Sequence, residues 1–175
     1  MDLTHAHLVL NHVPVLGTLA GIVLLIAGMG LRSADLKRAG LAGLLVAALA
    51  AVPVYLTGEP AEETVESLAG VSKAVVEAHE SSGKLSLMAI GLLGVVSAAA
   101  LLASRRAAGP PAALTSAVLI GSVAVGGLMV RTANLGGQIR HSEIRSVPAS
   151  ATGGGAPAPE THAQTEDEEH EHRRH

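Results

Sequence analysis

Nine histidines and no cysteine set the chemistry open to this 175-residue chain. Without thiols, disulfides, cysteine-ligated iron–sulfur clusters and covalent c-type haem are excluded. Imidazole and carboxylate remain. Together they suit axial ligation of a noncovalent haem, or a divalent ion held by nitrogen and oxygen. His5, His7 and His12 open the first apolar segment, His79 precedes the third and His141 follows the fourth. His162, His170, His172 and His175 lie in a polar tail, where they can chelate a metal only loosely and read best as solvated side chains.

Helical spacing limits which histidines can meet. His5 and His12 are seven apart and share a face, and His7 shares one with Asn11. His7 and His12 stand about 140° apart on an ideal helix and converge only if Pro14 distorts its start. The sharpest expectation is a b-type haem held by two imidazoles from different helices. His12 and His79 form the first pair, and His7 and His141 the reserve. Arg140 or Arg131 would face a propionate. The second is a zinc, copper or iron site built from imidazoles with Glu59, Glu63 and Glu80, and with His5 nearby. His79-Glu80 lacks the second histidine of the zinc-hydrolase helix motif. The third is a cofactor-free accessory subunit of a larger membrane complex, with interfacial histidines as anchors. No nucleophile–base pair, phosphate loop or dinucleotide-binding glycine pattern is present. If it is redox-active, the chain reads as an electron carrier rather than a hydrolase or transferase, exchanging electrons with a redox partner or a larger membrane complex.

The elements that position these residues are membrane helices. Charged residues make up 15% of the chain, well under the ~25% of a soluble domain. The apolar set is aliphatic, with one Tyr and no Phe or Trp. Residues 13–31, 39–57, 85–103 and 112–130 are uncharged runs of spanning length. Nineteen helical residues rise about 28 Å, close to the ~30 Å hydrocarbon core. With their flanks the spans are placed at about 8–31, 39–57, 85–103 and 112–135. The fold class is all-α integral membrane, a four-transmembrane-helix bundle. Residues 1–146 form the transmembrane domain, and 147–175 a disordered tail, Ala/Gly/Pro-rich and then Glu/His-rich. The amino terminus lacks a basic n-region, so the first span reads as a retained helix rather than a signal peptide. The net charge of −3 and the absence of a basic stripe give no sign of nucleic acid.

Arg32, Lys37 and Arg38 in the first loop, with Arg105 and Arg106 in the third, place both loops in the cytoplasm of a bacterial inner membrane. Both termini and the acidic middle loop then face outward. That loop, residues 58–84, is expected to form an amphipathic surface helix. Pro60 stands in its first turn, and Ala61, Val65, Leu68, Ser72, Val75 and His79 lie on one stripe. Small residues spaced four apart mark packing seams: Gly17 and Gly21; Ala39, Gly43, Ala47 and Ala51; Gly94 and Ala98; Ala113, Ala117 and Gly121.

These features resemble a family of bacterial four-span membrane proteins of unknown function, whose first helix carries a His-Pro-x-x-x-His-Phe-Pro signature. His7, His12 and Pro14 keep its spacing, whereas Leu8 and Val13 replace the inner Pro and the Phe. Pro53, Thr57 and Gly58 are similar to the end of its second helix, and His79 to the histidine opening its third. Gly136, Gly137, Arg140 and His141 are similar to its Gly-Gly and Arg-His, at shorter spacing. The resemblance spans residues 7–141 in pieces. It implies a four-helix fold with a histidine-bearing outer layer, and no particular reaction.

Overall fold

The computed structural model describes residues 3–66 and 70–140, with the side chains of Leu3, Thr4, Glu63 and Arg140 outside the description. Five helices follow in order: α1 (Leu3–Leu10), α2 (His12–Gly30), α3 (Ala34–Glu66), α4 (Lys73–Ser104) and α5 (Ala112–Arg140). No strand occurs among the described residues. Four stretches are long and apolar enough to cross a membrane: His5–Gly30, Ala34–Glu66, Lys73–Ser104 and Ala112–Ile139.

The chain runs up and down. α2 packs on α3, α3 on α4, α4 on α5, and α5 closes back onto α2. The turns 31–33 and 105–111 meet at one end, where Gly109 stands against Ala34. α1, the end of α3, the start of α4 and the end of α5 gather at the other. Size decides which side chains go inside. Leu16, Leu19, Val23, Ile26, Leu49, Leu92, Ile120 and Val130 lie on the outer surface. The interior holds Leu25, Leu41, Leu44, Ile90 and Val118 among many small residues. Large aliphatics outward and small residues inward is the pattern expected where lipid is as apolar as leucine and helices gain by approaching closely.

Pro14 has no N–H for the Leu10 carbonyl, and the first helix breaks at Asn11 beside that carbonyl. The α2 end is closed by Ser33 N–H to the Gly28 carbonyl at 2.9 Å, with Arg32 in the left-handed region at φ 52°. Such a closure usually employs glycine.

Two expectations are corrected. The middle segment forms no separate surface helix. α3 runs on through Pro53 and Pro60 to Glu66, and α4 begins at Lys73 and continues into the membrane-length stretch. Thirty-three residues rise about 50 Å, longer than the ~30 Å thickness of a hydrocarbon core. Gly70, at φ 82°, makes the turn in a backbone region that a Cβ would strain. The seams also shift. Ala39, Ala113 and Ala117 are exposed, and no atom lies near a Cβ built on Gly43. The expected Gly17, Gly21, Gly94 and Gly121 do make close approaches and Ala47 and Ala51 are buried, while Gly28 and Gly40 join them between α2 and α3.

Candidate functional site

Two histidines at the open end of the bundle share one local geometry. His7 on α1 reaches α3, where its Nδ1 lies 3.0 Å from the Val54 carbonyl oxygen and 3.3 Å from the Thr57 hydroxyl. His79 on α4 reaches α5, where its Nδ1 lies 3.0 Å from the Thr132 carbonyl oxygen. A carbonyl only accepts, so Nδ1 is the protonated nitrogen in both rings. Each neutral imidazole then keeps its lone pair on Nε2.

A glycine stands four residues, one helical turn, beyond each accepting carbonyl: Gly58 after Val54, and Gly136 after Thr132. Both lie under the imidazole. A Cβ at Gly58 would be 3.5 Å from His7 Cε1, and one at Gly136 would be 3.1 Å from His79 Cε1. The same arrangement therefore occurs twice: a histidine on α1 or α4 reaches a carbonyl near the end of α3 or α5, and a glycine one turn on leaves room for the ring.

The His79 half is more elaborate. Ser82 and Ser86 continue its face down α4 and meet the Thr132 hydroxyl at 2.7 and 2.9 Å. Each hydroxyl has one proton: with Ser86 donating to the Ser82 carbonyl at 2.8 Å and Thr132 to the Leu128 carbonyl at 3.0 Å, Ser82 is the donor to the Thr132 oxygen and Ser86 is only its close neighbour. Ser82 and Ser86 are buried. In the His7 half the Thr57 hydroxyl turns back on its own helix, to the carbonyls of Pro53 and Val54 at 2.9 and 3.0 Å.

The other candidates are placed differently. His12 is exposed, and its Nδ1 turns back to the Leu8 carbonyl on the same stretch of chain at 3.1 Å. This corrects the expectation that His12 faces the interior. The break at Asn11 occurs, but the phase it leaves brings His7, not His12, against α3. His5 and Glu59 are exposed. Glu80 is paired with Lys84. Among the described residues no three His, Cys, Asp or Glu side chains gather into a metal-holding group. His5, Glu59 and Glu80 are thus not brought together, and the side chain of Glu63 lies outside the description. His141 and the side chain of Arg140 also lie outside it, while Arg131 is exposed next to Thr132 in the chain.

Sequence reasoning found His7 and His79 but missed their partners. Backbone carbonyls carry no sequence signal. Gly58 and Gly136 were visible only as parts of the family-like motifs, and Ser82, Ser86 and Thr132 as unremarked hydroxyls at spacings of three and four. Comparison with family models, with curated proteins and with solved structures finds no match to this chain, so the site stands on its geometry alone.

Proposed function

We propose that this protein is a multi-pass membrane electron carrier that binds a b-type haem through Nε2 of His7 and Nε2 of His79. The observation that carries the reading is the repeated Nδ1–H to carbonyl bond. It fixes the tautomer, holds the ring and leaves the ligating nitrogen free, as partner groups behind metal-bound histidines do. The number of ligands supports haem over a bare ion. A porphyrin brings four nitrogens of its own and asks two axial ligands of the protein, whereas zinc or copper needs three or four from side chains. Two imidazoles from different helices, α1 and α4, match the first demand in number. A haem so held supplies one-electron chemistry at iron. His7 and His79 hold it, and Gly58 and Gly136 keep their rings in place.

The basic short loops, Arg32, Lys37 and Arg38 with Arg105 and Arg106, lie in the cytoplasm on this reading. The histidine end then opens on the outer side of a bacterial inner membrane, where a redox partner or a larger complex would exchange electrons with it.

The test is an optical and electron paramagnetic resonance spectrum of the full chain, purified in detergent after expression with haem supplied. The expected result is a low-spin spectrum with two imidazole ligands, lost in His7→Ala and in His79→Ala and retained in His12→Ala. A wild-type protein that stays colourless under haem reconstitution, or a His7→Ala variant with an unchanged low-spin spectrum, overturns it.

A further inference from the structure

At the end of the bundle opposite the histidines, the two short turns bring cations together. Arg38, on the first turn of α3 but one, sends Nη2 to the Ser104 carbonyl at the end of α4, 3.4 Å away, and Nη1 to Asp35 at 3.2 Å. Beside that contact lies an open cavity of ≈ 380 Å³ lined by Arg38, Leu101, Ser104, Arg105 and Ala107. A second, of ≈ 400 Å³, is lined by Leu102, Ala103, Arg105 and Arg106, so Arg105 borders both. We propose that this groove between the ends of α3 and α4 holds the phosphate headgroup of an anionic phospholipid.

Charge supports a single anion there. Arg38, Arg105 and Arg106 contribute three positive charges. Asp35 removes one, and the carboxyl end of α4 acts as about half a negative charge. The amino end of α3, which borders the same groove, offsets that half charge, so about two positive charges remain, enough for one phosphodiester. Asp35 is also 93% exposed on its side chain, so its charge is largely screened by solvent.

The walls distinguish a lipid from free phosphate. Leu101 and Leu102 border the cavities and Leu102 is 60% exposed, so the cationic rim continues directly into the apolar outer face of α4. A headgroup seated among the guanidiniums leaves its acyl chains along that face. Basic pockets between helix ends at a membrane surface bind anionic headgroups in this way. The inference requires the bilayer but not the haem, so the two readings fail separately.

The test uses the full chain, delipidated in detergent and titrated with dioleoyl phosphatidylglycerol, with dioleoyl phosphatidylcholine, or with inorganic phosphate. Thermal melting and native mass spectrometry supply the readouts. Phosphatidylglycerol is expected to raise the melting temperature and persist as a one-lipid adduct, while the other two do neither. R38Q/R105Q should weaken that binding roughly 30-fold, and R106Q about fivefold, at about 1 kcal/mol per cation. R131Q, at the histidine end, should bind as wild type does. R106Q settles the matter if the double variant fails to fold. Equal binding of the two lipids, equal stabilisation by inorganic phosphate alone, or wild-type affinity in R106Q and in a folded R38Q/R105Q overturns the proposal.

Discussion

The two helical hairpins, α2 with α3 and α4 with α5, end in the same histidine arrangement but are zipped by different chemistry. Between α2 and α3 the backbones touch. A Cβ at Gly21 would lie 2.6 Å from Leu44 Cγ, one at Gly40 2.9 Å from Leu25 Cγ, and one at Gly28 2.8 Å from the Lys37 backbone nitrogen. Leu25, Leu41 and Leu44, at 0% exposure, fill what the glycines vacate. The second hairpin is lined with hydroxyls. Ser82, Ser86, Ser97, Ser104, Thr115 and Ser122 are all buried on α4 or α5, and Thr18 is the one buried hydroxyl on α2 or α3 among the described residues. Most of these bond a carbonyl one turn back, which satisfies a buried polar atom without a partner helix. Shape therefore holds the first pair. The second relies on small hydroxyl residues, and its helix-to-helix bonds sit at the His79 end.

The sharpest way to break this contrast is to overfill a glycine seam. Gly21→Val places branched atoms on Leu44 and, behind it, on the Gly40 carbonyl 3.3 Å away. Neither the leucine stem nor the carbonyl can move without parting the helices. We expect a loss of roughly 3 kcal/mol, the upper end of ordinary overpacking. Gly127→Val makes the same change in helix propensity where no atom lies within 4 Å, and should cost well under that. Thermal or denaturant unfolding in detergent compares them. Equal losses would show that propensity, not packing, sets the cost.

Next in size is the difference between the two ring-bearing glycines. Gly136→Ala sets a methyl 3.1 Å from His79 Cε1 and 3.4 Å from its Nδ1, so the ring must shift off the Thr132 carbonyl. Gly58→Ala meets His7 Cε1 at 3.5 Å, an ordinary contact. We expect Gly136→Ala to weaken haem retention about tenfold, the scale of a disturbed partner behind a ligating histidine. Gly58→Ala should leave it within about twofold, too small for the loss of the bond behind His7. Haem-transfer rates to a competing apoprotein give the ratio. Matching behaviour of the two variants would remove the asymmetry drawn here.

The four spans were legible because uncharged runs of bilayer length have few other uses. The histidine-bearing end was legible because all four spans deliver polar groups to it. The pairing was not. Depth along the chain favours His12, beside Asn11 and Pro14, but the choice between His7 and His12 depends on the rotation of α1 against α3, set by a contact 47 residues away. The seam on α5 was placed only in part, for a related reason. Ala113 and Ala117 are spaced like a seam, but the buried stripe runs through Thr115, Val118 and Ser122. Two residues on a helix turn the face by about 200°, so correct spacing with the wrong phase points to lipid. The surface helix failed because Pro60 reads as a helix start, whereas α3 passes through both Pro53 and Pro60, with Thr57 and Thr64 hydroxyls on the carbonyls of those prolines at 2.9 Å.

The smallest predicted effect separates the hydroxyl cluster from the histidine it adjoins. Thr132 serves two roles through different atoms. Its carbonyl anchors His79, while its hydroxyl gathers Ser82 and Ser86 across the α4–α5 interface. Thr132→Val keeps the carbonyl, the branched shape and nearly the same volume, and removes only the hydroxyl. Ser86 retains its bond to the Ser82 carbonyl, so only the Ser82 hydroxyl loses its described partner. Interhelical hydrogen bonds within membranes average about 0.6 kcal/mol, so a loss of about 0.6–1.5 kcal/mol is expected. The low-spin spectrum should be unchanged, because the Nδ1–H bond that orients His79 ends on the backbone. A spectrum lost in Thr132→Val while the protein still folds would mean that the hydroxyls, and not the carbonyl, hold the imidazole. In that case the two halves of the site would not be equivalent, since His7 has no such cluster beneath it.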